Sequence, residues 1–325
     1  MIDQIESAIN ATVQHLSPGA HGITLVDAKL IPAGDSHAVY DLRVSWRLND
    51  ELHIGQFVAK RDTGERRILE ALDGLSIPTP RLLPSGSGPS ESFLIMERLP
   101  GRMIAEVIRS AGMRWELTAL AFSYARMLAE IHALDWRTVA PWMAGVEEDP
   151  EEIVDIQVDA MWEDWTVRIA RLPADARAPF EQALAWLDLR RPVEVSLCLC
   201  HGDYSLTNVL IADDEVSGVL DWESARVTDA SYDLALLPFE LRRLGLPVED
   251  AELFAQAAHG AYLQNSPRSL GNLSFYTVAR LLDRALAALE LAGTAPAPEA
   301  VEEAGEWLGA MRQAMAGAGR VPWRG

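Results

Sequence analysis

The residue texture of this chain changes at Pro100-Gly101, and that change limits the folds open to it. Before it, residues 22–32, 38–48 and 52–60 carry Val, Ile, Leu, Tyr and Trp with partial period-two alternation. Breaks at Gly34-Asp35-Ser36 and Asn49-Asp50 mark them as strands. Residues 65–73 read as a short helix, with Ile68, Leu69 and Leu72 at helical spacing. Pro78 and Pro80 force an extended stretch, and Phe93 to Leu99 reads as one more strand. After Pro100-Gly101, amphipathic helices are expected over 115–133, 150–171, 176–189, 248–264, 269–292 and 299–316. Gly293, Pro296 and Pro298 separate the last two. Short strands at 195–200, 208–211 and 216–221 interrupt the helices. The expected class is α+β with two lobes. An antiparallel-sheet N-terminal lobe covers 1–97, a hinge covers 98–102, and a mainly helical C-terminal lobe covers 103–325.

Length and charge narrow the functions. A chain of 325 residues is too long for one compact core, and 49% hydrophobic against 23% charged residues suits a packed globule. The 48 acidic and 28 basic residues leave a net charge of −20. That field repels phosphate backbones, so neither nucleic acid nor an anionic membrane is an expected partner, whereas a cationic small molecule would be drawn in. Cys198 and Cys200 have a spacing that matches no zinc or redox motif, so they read as reduced core thiols. The first residues include Asp3 and Glu6 and no apolar run, so no signal peptide is expected. No stretch reaches the roughly 18 apolar residues of a membrane span, and the expected location is cytoplasmic. Oligomeric state is not legible in the sequence.

Chemistry concentrates in His201-Gly202-Asp203-Tyr204-Ser205-Leu206-Thr207-Asn208 and in Leu220-Asp221-Trp222-Glu223. Phosphoryl transfer needs a carboxylate to orient or deprotonate the attacking hydroxyl, and oxygen ligands that hold magnesium on a triphosphate. An Asp followed five residues later by an Asn offers both from one turn. Asp203 would face the acceptor, and Asn208 would reach a metal. Asp221, after the next hairpin, would complete a site of few carboxylates that suits Mg2+.

These segments resemble the aminoglycoside phosphotransferase and choline kinase superfamily, whose motif is H-G-D-x-x-x-x-N followed by a strand ending in I/L-D-W/F-E. The resemblance spans roughly residues 28–240. It implies a protein-kinase-like fold and transfer of the γ-phosphate of ATP or GTP to a small-molecule hydroxyl. The acceptor could be an aminoglycoside-like antibiotic or an amino-alcohol or sugar metabolite, and a catalytically silent nucleotide-binding scaffold is the alternative. By this resemblance Asp203 is the catalytic base, Asn208 and Asp221 are the metal ligands, and His201 is a packing residue. Lys60, ending Gln56-Phe57-Val58-Ala59-Lys60, would touch the α- and β-phosphates and pair with Glu65, or failing that with Glu70. Gly34 and Ser36 occupy the nucleotide-covering loop position, and Met96, Glu97 and Leu99 the purine-binding strand and hinge. Asp233, in Ser231-Tyr232-Asp233-Leu234-Ala235, would brace the catalytic loop. Thr228-Asp229-Ala230 stands where the family has G-D-P, which would loosen that turn.

The window Glu147–Asp164 holds nine acidic residues and no Lys or Arg, with Trp162 and Trp165 at its end. It fits either a surface for a polyamine or aminocyclitol, or a solvated helix face with its tryptophans turned inward.

Overall fold

The structure is a computed structural model that describes residues 2–31, 38–85, 93–143, 149–294 and 298–317. The chain separates into two compact units. One takes residues 1–102 and 210–224, and the other takes 103–209 and 225–325. The first unit therefore reclaims a piece of chain from beyond position 200.

The first unit is built on a five-stranded antiparallel sheet. Its strands are β1 (His21–Ile31), β2 (Val39–Leu48), β3 (Glu51–Arg61), β4 (Leu82–Leu83) and β5 (Phe93–Glu97), in the order β1-β2-β3-β5-β4. Asn49 and Asp50, at φ 51° and 65°, form the two-residue turn that puts Leu48 opposite Glu51. Both central residues of such a turn must be left-handed, which Asn and Asp tolerate best. One face of the sheet is covered by helix α1 (Ile2–Leu16), which is not among the expected elements. Ile5, Ala8, Ile9 and Val13 form one stripe of α1, buried with Leu42, Val44, Phe57, Ala59 and Ile95. Helix α2 (Arg66–Leu72) buries Ile68, Leu69 and Leu72, and Glu65 stands just before it. The hairpin Val209–Ala212 and Glu215–Val219 turns through Asp213 and Asp214, at φ 51° and 63°, and ends at Asp221. Gly101, at φ 117°, lies so close to this hairpin that an added Cβ would sit 2.8 Å from the Ile211 carbonyl oxygen.

The second unit is helical. Its long helices are Arg114–Ala133, Pro150–Arg171, Ala178–Asp188, Val248–Asn265, Leu273–Thr294 and Pro298–Gly317. The predicted ranges meet these within a few residues, except that 269–292 begins four residues early. Helices Ile104–Ser110, Ser231–Leu234 and Leu237–Arg243, together with strand Arg226–Asp229, were not anticipated. Arg226–Asp229 pairs antiparallel with Leu197–Cys200. Cys198 and Cys200 are free buried thiols on one face of that strand, their sulfurs 3.5 Å apart. Among the described residues no helix is long and apolar enough to cross a membrane.

Candidate active site

In the first unit, the end of β3 delivers Lys60 into a carboxylate cluster. Its Nζ lies 3.1 Å from Glu65 Oε1 and 3.4 Å from Glu223 Oε2, and it donates to Asp221 Oδ1. The side chains of Lys60 and Glu65 are 8% and 2% exposed, while that of Asp221 is 34% exposed. Burial alone would pull the lysine pKa down, but the carboxylates of Glu65, Asp221 and Glu223 outweigh it and hold the ammonium above its ordinary value. Burial pushes the Glu65 carboxyl up, against the opposing pull of Lys60. Glu65 also ties the cluster to the chain beyond Asp221, because its Oε2 accepts the Trp222 N–H at 3.1 Å. Glu223 accepts a further hydrogen bond from Thr63. Asp221 itself has φ 67°, a left-handed backbone uncommon for a non-glycine residue and often met where chemistry requires a fixed side-chain direction.

The short Lys60-to-Glu65 spacing is accommodated because Glu65 precedes α2 rather than lying within it, so the alternative partner Glu70 is not needed. Glu223 lies in the same motif as Asp221 and joins the cluster beside it. Its place two residues after Asp221 is what marks it in the sequence. Three carboxylates face one ammonium here, and this excess of negative charge, with Asp221 and Glu223 partly open to water, suits a divalent cation with oxygen ligands.

In the second unit, the turn His201–Asn208 is held from several sides. Asp233 accepts the His201 N–H at 2.7 Å and the Gly202 N–H at 2.8 Å, which is the bracing its position implied. Asp233 is itself buried and hydrogen-bonded to His132 Nε2 at 3.1 Å. Burial pushes its pKa up, but His132, His201 and Arg280 outweigh that and hold the carboxyl below its ordinary value. His201 is fully buried, and its Nδ1 accepts the Asp203 N–H at 3.2 Å, the packing role expected of it. Gly202 takes φ 85°, which its neighbours could not adopt without strain. Tyr204 and Tyr124 each donate their hydroxyl to the other's backbone carbonyl, at 2.8 and 2.6 Å. The Leu206 N–H donates to Glu240 at 3.0 Å.

Asp203 is thereby presented on a rigid turn. The Asn208 Nδ2 donates to the Asp203 carbonyl at 3.0 Å, and the Asn208 amide oxygen is the atom a cation would take. Two arginines from helix Leu273–Thr294 also reach Asp203 Oδ1: Arg280 at 3.2 Å and Arg284 at 2.8 Å. That helix carries no motif that would mark them in the sequence.

Several expectations meet the structure differently. The turn at Thr228-Asp229-Ala230 is not loosened. Asp229 is buried and accepts hydrogen bonds from the Ser231 and Ser196 N–H groups and from Asn272 Nδ2, which fix the turn. Gly34 and Ser36 lie outside the described residues. Met96 is buried in β5, and the Glu97 N–H is already engaged by the Arg81 carbonyl at 3.0 Å. Leu99 is partly buried beside Gly218 of the hairpin. In the acid-rich window, Glu147 and Glu148 lie outside the described residues. Asp159 pairs with Arg191 and Asp164 with Arg168, while Trp165 is buried, the pattern of a solvated helix face.

The sequence profile of the phosphotransferase enzyme family, APH, matches residues 57–270. An aminoglycoside 3'-phosphotransferase of Streptomyces fradiae is 27% identical over 243 residues, covering 73% of this chain and 78% of that protein. Two solved structures show the same fold. A thermostable mutant of aminoglycoside phosphotransferase APH(4)-Ia, in ternary complex with AMP-PNP and hygromycin B, superposes with a TM-score of 0.63 at 18% identity, covering 92% of this chain and 96% of that one. Macrolide 2'-phosphotransferase MphH from Brachybacterium faecium superposes with a TM-score of 0.56 at 20% identity, covering 92% and 97%. With the motif, the braced turn and a match over 57–270 together, this chain belongs to the phosphotransferase enzyme family.

Proposed function

We propose that this enzyme transfers the γ-phosphate of ATP or GTP, as its magnesium complex, to a hydroxyl group of a small molecule. The observation that carries the reading is the Lys60 cluster. A buried lysine held by Glu65, with Asp221 and Glu223 beside it, supplies a fixed cation for phosphate oxygens and carboxylates for a metal. Asp221, with Asn208, would hold the magnesium, which when bound neutralises charge on the phosphates. Asp203 would orient the acceptor hydroxyl and take its proton. The new bond joins the acceptor oxygen to the γ-phosphorus, and the bond from that phosphorus to the β-phosphate oxygen breaks. The products are a phosphate ester and a nucleoside diphosphate, and the proton passes from Asp203 to solvent.

The relatives named above act on aminoglycosides and macrolides, which supports a small-molecule acceptor while leaving its identity open. Asp221→Asn tests the metal role, because Asn tolerates the left-handed backbone that Asp221 adopts and removes only the charge. Magnesium-dependent nucleotide binding, followed by calorimetry, should weaken about tenfold or more, the 1.4 kcal/mol scale of one lost charged contact. Unchanged magnesium dependence would remove Asp221 from the metal site. A catalytically silent scaffold would bind magnesium nucleotide normally and transfer phosphate to nothing.

A further inference from the structure

We propose that the acceptor of this phosphotransferase carries an anionic group, a carboxylate or a phosphate, which Arg280 and Arg284 take up beside Asp203. The proposal rests on the phosphoryl-transfer reading, because Asp203's role toward the acceptor hydroxyl is what makes its neighbours acceptor neighbours.

Arg280 and Arg284 lie four residues apart on one helix, so their side chains share a face. Both place a guanidinium nitrogen on the same oxygen of Asp203. Two like charges at this spacing repel each other unless an anion lies between them, and one carboxylate oxygen is shared by both. Glu240 faces the same pair and is committed to the Leu206 N–H.

The two arginines are held differently. Arg280 is 10% exposed, stacks 4.6 Å over the Tyr232 ring and donates to the Tyr232 carbonyl. Arg226 stacks on the same ring at 4.9 Å. Arg284 is 43% exposed and meets Asp203 through a single nitrogen rather than as a two-pronged fork. A guanidinium has five N–H donors arranged for bidentate contact with carboxylate or phosphate, so Arg284 retains the geometry for such a ligand.

In a chain with a net charge of −20, cations gathered at the catalytic aspartate work against a polycationic acceptor and in favour of an anionic one. An acceptor anion would draw the guanidinium groups away from Asp203 Oδ1 and leave that oxygen for the hydroxyl. In the acid-rich window, Asp155 and Asp159 pair with Arg191 and Asp164 with Arg168, so part of that surface is already neutralised.

The test uses matched acceptors. Hydroxy acids of three to six carbons are compared with their methyl esters, and pentose and hexose phosphates with the parent sugars. Ethanolamine and kanamycin serve as cationic members. Acceptor-dependent release of nucleoside diphosphate is measured. Binding to the AMP-PNP–magnesium-loaded protein is followed in parallel by saturation-transfer NMR. The expected result is a preference of at least about tenfold for the anionic member of a pair, with the two arms separating carboxylate from phosphate. Arg284→Gln should erase the preference, chiefly through KM, and Arg284→Lys should restore part of it. Equal or reversed preference, or no anionic compound bound or phosphorylated, overturns the proposal. Reaction of neutral or cationic members alone leaves the phosphotransferase reading standing without it. Failure of the wild-type protein to bind magnesium nucleotide takes down both.

Discussion

Asp203 and Lys60 sit among neighbours that pull in opposite directions. Lys60 is one cation among three carboxylates, and Asp203 is one carboxylate beneath two guanidinium groups. Glu240 shows how sharply such surroundings act. Burial and the nearby Asp203 charge push its carboxyl from 4.5 up to about 7, against the Leu206 N–H, Arg280 and Arg284. The folded protein therefore holds a proton that the unfolded chain releases between those values. Stability falls as pH rises from about 4.5 through about 7, by at most roughly 3 kcal/mol at 1.36 kcal/mol per unit. Glu240→Gln keeps an acceptor for the Leu206 N–H and removes the charge. Thermal melts should show the variant more stable than wild type at pH 8, the two converging towards pH 4, below the unfolded-state value. A variant less stable at pH 8 would mean that the ionised carboxylate contributes stability.

At the scale of elements, the turn His201–Asn208 is legible because its motif is local. His201, Gly202, Asp203 and Asn208 form one run, whose residue types, spacing and resemblance to the family motif mark it in the sequence. The strands β1 to β3 and the long helices were legible from alternation and helical period. Helix α1 carries only a narrow stripe, with Ile5, Ala8, Ile9 and Val13 at helical spacing among polar residues, and it is its burial against the sheet that makes it part of the core. Ile9→Ala should cost about 2–4 kcal/mol in urea melts, since Ile9 is 1% exposed against the sheet. A cost under 1 kcal/mol would show α1 to be an appendage rather than part of the core. Arg280 and Arg284 could not have been found from spacing, because they reach Asp203 across 77 and 81 positions and through tertiary packing alone. Asp229 illustrates the converse, in which a departure from the family pattern is compensated by side-chain bonds that no motif records.

At the scale of the whole molecule, chain order and structural order part company. The texture of the sequence changes near position 100, whereas the first unit also takes in residues 210–224, which bring Asp221 and Glu223 to Lys60. A hairpin turned by Asp213 and Asp214 is what makes that return compact. The negative charge of the chain is likewise unevenly used, with acids spread along solvated faces and arginines kept at Asp203. The central claim is that this chain moves phosphate to a hydroxyl through Asp203. The most direct measurement is acceptor-dependent nucleotide turnover, with ATP and GTP, for wild type and for Asp203→Asn, which preserves side-chain shape. Loss of about 10²–10⁴-fold in acceptor-dependent turnover, with magnesium nucleotide still bound, is the predicted result. Turnover that survives in Asp203→Asn would contradict the account.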